Sequence, residues 1–162
     1  MASSGLERFH LAQEDEVSGF GAALNELQTT GKRGHWIWWI LPQLRGLGFS
    51  STSEEYGIRD AEEAVEYLRD PVLRSRLTVI TQAIAQRLDG RIPLESVMGS
   101  AIDVRKLVSS LTLFEHVARD LSAGEPLAEL ATLANTAAHV LAHAEARGIS
   151  RCEVTCASLG RV

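Results

Sequence analysis

An all-α fold is expected from three features of the sequence. Apolar residues recur at steps of three and four rather than alternating, helix-start signals stand just before the strongest of these stripes, and the connections are short. The chain has 162 residues, enough to bury a core without metal or disulfide, so one domain spanning 1–162 is expected. Its architecture should be a bundle of about six or seven helices.

The elements follow in chain order. Leu6 to Gln13 and Val17 to Leu27 read as helices, the second with Phe20, Ala23, Leu24 and Leu27 on one face and Gly31 as its stop. Asp60-Ala-Glu-Glu63 is a capping-box pattern, opening a short helix whose inner face is Ala61, Ala64, Val65 and Leu68. Asp70 is placed as an N-cap and Pro71 at the first helical position, where its missing N–H costs nothing. Behind them runs the clearest stripe, Leu73, Leu77, Ile80, Ile84 and Leu88. Leu94 to Met98 reads as one short turn. Val104 to Val117 and the alanine-rich Leu127 to Ala146 are two longer helices, the latter striped by Leu127, Leu130, Ala134, Ala137 and Leu141. No internal repeat, low-complexity tract or linker interrupts them.

Composition narrows the function classes. Hydrophobic residues make up 45% and charged residues 23%, and the mean hydropathy is -0.01, which is the balance of a folded globule. With a formal charge of -5, nothing global attracts nucleic acid or an anionic membrane, so any anion site must be local. The N-terminus carries no apolar core of the signal-peptide kind, and the longest strictly apolar run, Trp36 to Leu41, is too short to span a bilayer. The two cysteines, Cys152 and Cys156, are too close together to staple a fold. A cytoplasmic protein is expected.

One stretch breaks the pattern. From Leu27 to Ser53 there is no acidic residue, yet Lys32, Arg33, His35, Arg45, all three tryptophans (Trp36, Trp38 and Trp39) and four glycines lie within it. Aromatic planes, fixed cations and glycines that let the backbone approach are the ingredients of a site for a planar anion. The plainer reading makes the aromatic run core ending at Pro42. It is the preferred one for Trp39 and Ile40, while Trp36 and Trp38 read equally as core or as platform. The cations need partners in either case, the plain one being a carboxylate on another helix.

A second unusual stretch runs from Asp103 to Phe114. Leu107, Leu111 and Phe114 share a helical face, while Ser109, Ser110 and Thr112 put hydroxyls where helix propensity favours none. These can bond back to carbonyls four residues earlier. Alternatively Asp103 and Lys106, one turn apart, with Ser110 a turn further on, line one edge of a pocket.

The run Gly31-Lys-Arg-Gly-His-Trp-Ile-Trp-Trp-Ile-Leu-Pro-Gln-Leu-Arg-Gly-Leu-Gly48 closely resembles the hallmark of the bacterial proteins of domain-of-unknown-function family 1810, some of them labelled calpastatin. Phe9, Ala12-Gln13, Ala23-Leu24 and Glu26-Leu27 match its opening. Tyr56-Gly57-Ile58, Ala64, Tyr67-Leu68, Pro71-Val-Leu73 and Arg76-Leu77 match its middle. Gly99, Asp103, Lys106-Leu107 and Ser109 to Phe114 match its close. The resemblance covers about residues 6–116 and implies a compact multihelical fold, with no established activity. Residues 117–162 depart from the family pattern and rest on periodicity alone.

The expected site is a pocket where the 31–48 segment meets the helix bearing Asp103 to Phe114. Its ligand would be a small anionic planar metabolite, a nucleotide or ADP-ribose-like compound, bound and in one version processed. Trp36 and Trp38 would stack on it and Lys32, Arg33 and Arg45 would hold phosphate, with Lys106, Ser109 and Ser110 completing the lining. His35 and Asp103 would be the acid/base pair. Whether a reaction follows binding is left open. Arg45 in particular is expected to serve ligand binding more than folding. The alternative is a protein-interaction module in which the tryptophans and Arg45 form a hot spot.

No cofactor or metal is called for. His139 and His143 at i, i+4, followed by Cys152 and Cys156, would make a tetrahedral zinc site if the tail folded back, but solvent-facing histidines and a frayed tail are preferred. The Glu of a His-Glu-x-x-His motif is missing, which removes metalloprotease chemistry.

Overall fold

The computed structural model describes residues 5–160. Every described element is a helix apart from one isolated parallel bridge, Leu44 to Ile58. In order they are α1 (Glu7–Gln13), α2 (Phe20–Gln28), α3 (Ile37–Ile40), α4 (Ser51–Tyr56), α5 (Ala61–Arg69), α6 (Pro71–Asp89), α7 (Leu94–Met98), α8 (Ala101–Gly124), α9 (Ala128–Ala146) and α10 (Glu153–Ser158). The all-α class is as expected, but the described residues form ten helices rather than six or seven. The additional ones, α3, α4 and α10, have four to six residues, too few to show a periodic stripe.

Local signals act where the sequence placed them. The Asp60 carboxylate accepts from the Glu63 N–H to start α5, and Asp70 accepts from both Val72 and Leu73 to start α6. α2 begins at Phe20 instead of Val17, because the Asp15 carboxylate takes the N–H groups of Val17 and Ser18 into a local turn. α8 extends from Ala101 to Gly124, beyond the expected 104–117 at both ends, with the Ser100 hydroxyl accepting from Asp103 N–H at its start.

The three longest helices build the centre. α9 packs along both α6 and α8, α2 lies on α6, and α5 lies on α8. One continuous apolar cluster runs through all of them, from Phe9 on α1 to Ala144 on α9, with Trp36, Tyr67, Phe9 and Phe114 its largest fully enclosed side chains. α8 is therefore buried along much of its length, and a single edge of its first turns stays open to the 31–48 segment. Among the described residues no helix is long and apolar enough to cross a membrane.

Candidate functional site

The 31–48 segment is pinned against α7 and α8 by backbone. Lys32 N–H donates to the Val97 carbonyl at 2.8 Å. Gly31 and Gly99 face each other across this junction in left-handed conformations, with φ of 83° and 85°. A Cβ on Gly99 would sit 2.5 Å from the Lys32 carbonyl oxygen, and one on Gly31 would run into the Ser96 carbonyl, so both positions require glycine for space as well as for φ. At its far end the segment is tied to 58 by two bonds, Arg45 N–H to Ile58 O and Ile58 N–H to Gln43 O.

This docking sets up an alternating row of rings and charges. Lys32 is almost fully enclosed; its Nζ lies 2.8 Å from Asp103 Oδ2, donates to Gly34 O at 2.6 Å, and stands 5.1 Å from the Trp36 ring centre. Asp103 Oδ1 is 3.5 Å from Lys106 Nζ, which in turn lies 3.9 Å from the centre of the Trp38 ring. One carboxylate thus sits between two ammonium groups, each resting on an indole.

A second carboxylate serves the backbone of the same segment. Glu26, the last acid before the acid-free stretch, accepts from the N–H groups of Arg33 and Gly34 at 2.7 and 2.6 Å and from the Trp36 indole N–H at 3.2 Å. Burial pushes the Glu26 carboxyl up, but the Gly34 and Arg33 N–H groups, the Trp36 indole and the charge of Lys32 outweigh it and hold it below the usual range. Of the cations of the segment, Lys32 meets the plain partner foreseen for it, a carboxylate of another helix, whereas Arg33 reaches Glu26 through its backbone N–H and Arg45 donates to a backbone carbonyl.

Trp38, Gln43, Leu47, Arg105, Lys106 and Ser109 line a cleft of 310 Å³. Arg105 and Ser109 also line a neighbouring cleft of 360 Å³, formed with Ile149, Arg151 and Cys152. Arg105 is exposed and, among the described residues, makes no ion pair or hydrogen bond. Facing it, the Cys152 thiol is pushed up by burial, yet the polar groups around it, the Ser109 hydroxyl first and then the start of α10 at Val154 and Thr155, draw it below the ordinary thiol range.

Of the expected site residues, Trp38, Lys106 and Ser109 come together in the cleft, with Asp103 and Lys32 directly behind Lys106. Others are placed differently. Trp36 is wholly enclosed and offers no face for stacking, because successive α3 positions are turned about 100° from one another and its indole falls on the core side. Ser110 is fully buried on α8, so Ser109 supplies the cleft hydroxyl in its place. Thr112 does bond back to Val108 O, as its helical position suggests. Arg33 is exposed and is held through its backbone. Arg45 is exposed, donates from Nε to Glu54 O, and lines a separate cavity of 120 Å³ with Arg59 and Asp60. His35 is exposed, and no hydrogen bond or ion pair joins it to Asp103, so the acid/base pair is not assembled.

Two site residues escape a reading of the sequence. Arg105 sits beside Lys106, and its lack of a partner emerges only once the helices are packed. Cys152 reaches Ser109 through the turn that brings 148–153 back onto α8; its N–H donates to Thr112 Oγ1 at 3.2 Å. The His-Cys tetrad is not formed among the described residues: His139 and His143 gather at Asp89, while Cys152 lies against α8.

Relatives carry this architecture without an assigned activity. No curated protein matches the chain. Its fold is similar to the crystal structure of the conserved hypothetical protein Rv1873 from Mycobacterium tuberculosis, at 32% identity over 94% of each chain and a TM-score of 0.69. The likeness thus spans the C-terminal third, which the sequence left to periodicity. The family model described as protein of unknown function (DUF1810) matches residues 3–132, reaching into α9. Matched over most of its length, with the Gly31-to-Gly48 hallmark and the Asp103-to-Phe114 helix packed on each other, the chain belongs to the DUF1810 family.

Proposed function

We propose that the cleft between the 31–48 segment and α8 binds a small anionic, planar metabolite of the nucleotide or ADP-ribose-like class. The observation that carries this reading is the placement of Lys106 over Trp38 beside the unpaired Arg105. Lys106 occupies the ring face that a base would take. An exposed cation–π contact is worth about 0.5–1 kcal/mol, whereas stacking of a base on an aromatic side chain is worth about 1–3 kcal/mol. A base therefore displaces the ammonium group, and Lys106, on a flexible stem, turns with Arg105 toward the phosphate. Ser109 and the buried Gln43 supply neutral hydrogen-bonding groups.

The concave shape supports this reading over a flat hot spot for a protein partner. In the hot-spot alternative Trp36 has no exposed surface, and Arg45 lines a different cavity. Processing of the ligand would fall to groups along the Ser109–Cys152 edge or to Asp103, not to a His35–Asp103 pair.

Thermal melts of the wild type, Arg105→Ala and Trp38→Ala, each with phosphate, AMP, ADP and ADP-ribose, test the proposal. The expected result is stabilisation of the wild type by at least one nucleotide and no response in Arg105→Ala, whose ligand-free melting temperature is unchanged. A wild type that responds to none of them overturns it.

A further inference from the structure

On α9 stands a cluster that the cleft does not use. His139 and His143 lie one turn apart on α9, and both present Nε2 to Oδ1 of Asp89, the last residue of α6, at 2.7 and 3.9 Å. The two rings are nearly perpendicular, with centres 5.0 Å apart. One ligand atom from each of the three residues falls within a set spanning no more than 4.8 Å.

We propose that Asp89, His139 and His143 form a binding site for one divalent transition-metal ion of the zinc, nickel and copper class. Four observations carry this inference, which is independent of the cleft. First, in a tetrahedral site with bonds of about 2.1 Å, ligand atoms stand about 3.4 Å apart; the observed 2.7 and 3.9 Å bracket that edge, and exposed side chains reach it by rotamer adjustments on the order of half an ångström to an ångström. Second, two imidazoles and one carboxylate are a borderline set, suited to zinc, nickel or copper and unsuited to magnesium, which prefers oxygen ligands.

Third, the scaffold is already rigid. Both histidines sit inside a 19-residue helix, and Asp89 ends another helix of 19 residues packed directly on it. Ordering the ligands therefore costs little on binding. Fourth, all three are open to solvent, with side-chain exposures of 60%, 48% and 38% for Asp89, His139 and His143. An ion can enter and would keep positions for water or an outside ligand. Asp89 and His139 also line a cleft of 430 Å³ whose other walls include Gln82, Gln86 and Asn135. These neutral amides can bond to a metal-bound water without competing for the ion.

The decisive experiment titrates the tag-free, chelator-treated full chain with zinc chloride, and with magnesium chloride as a control. Bound metal is read against a chromogenic indicator and stability by thermal melt. We expect one zinc per chain, a higher melting temperature with zinc and none with magnesium, since the ion ties the end of α6 to α9. His139→Ala and His143→Ala should each weaken zinc by at least the roughly 10- to 100-fold that follows loss of an outer-shell partner. Cys152→Ser and Cys156→Ser should bind as the wild type does. Absence of stoichiometric zinc, equal zinc binding by His139→Ala, or loss of zinc in the cysteine variants overturns the site. Electron paramagnetic resonance of the copper-loaded wild type gives a reading free of any variant's folding: two coordinated imidazole nitrogens are expected, and fewer than two overturn it.

Discussion

Lys32 and Asp103 meet at 2.8 Å although far apart in sequence, the one from the acid-free stretch and the other from the first turn of α8. This pair is the joint between the two halves of the site in space, and it is shared: Asp103 also faces Lys106, while Lys32 makes no second ion pair and acts on Glu26 only through its charge. The asymmetry gives each partner a different cost of removal.

Asp103→Ala leaves the enclosed Lys32 ammonium without an ion pair, with the Gly34 carbonyl as its hydrogen-bond partner, and should destabilise the protein by about 3 kcal/mol, the lower end for breaking a buried pair. Lys32→Met leaves Asp103 still facing Lys106 and should cost less. The double variant should lose clearly less than the sum of the two, because the residues interact directly. Urea denaturation of the three variants checks this, and strict additivity would remove the joint from the account.

The two tryptophans of the hallmark should separate by role. Trp36→Ala empties an enclosed core position and should cost about 3–5 kcal/mol. Trp38→Ala, at a half-buried cleft wall, should cost distinctly less. The order of effects on nucleotide response should be the reverse, with Trp38→Ala abolishing it. Equal losses of stability in the two variants would contradict the assignment of Trp36 to the core and Trp38 to the cleft.

Glu26 makes acid stability a test of the segment's anchoring. Its folded value lies below its unfolded one, which is about 4.3, so the unfolded chain binds protons first as pH falls. The stabilisation is therefore complete above that unfolded value and disappears as pH drops through the folded one. Glu26→Gln should lower stability at pH 7, and its deficit relative to the wild type should shrink by about pH 3. Denaturation curves at the two pH values read this directly; a deficit that does not change with pH would place the effect elsewhere.

Cys152 offers a chemical probe of the second cleft. The Ser109 hydroxyl helps hold its thiolate, so Ser109→Ala should raise the thiol toward its ordinary value of about 8.5 and slow its alkylation at pH 7. Above about pH 9, where the thiol is ionised in both proteins, the rates should converge. Site-resolved mass spectrometry of iodoacetamide labelling checks this, with Cys156 as internal reference. A rate indifferent to Ser109 at pH 7 would show that the hydroxyl does not act on the sulfur.

Much of the scaffold was legible in the residues because its signals are local. The Asp60 and Asp70 caps act within three residues, and the stripe from Leu73 to Leu88 is one face of a single helix. The hallmark from Gly31 to Gly48 identified the family, whose match runs over residues 3–132. What no local signal carries is which side of a short turn faces the core. Trp36 and Trp38 are two residues apart in and beside a four-residue helix. About 200° of rotation separates them at 100° per residue, and only the packing of α3 against α6 and α8 decides which of them is inside. The partners of the cations are of the same kind: Asp103 for Lys32, Glu26 for the backbone of Arg33 and Gly34, and none for Arg105. Likewise His139 and His143 could be paired with each other from their spacing, yet Asp89, fifty residues before His139, joins them only because α6 and α9 pack side by side. Helix periodicity reports the environment of a residue along its own helix, whereas an ion pair or ligand set depends on the register between helices, and that register is a property of the packed core.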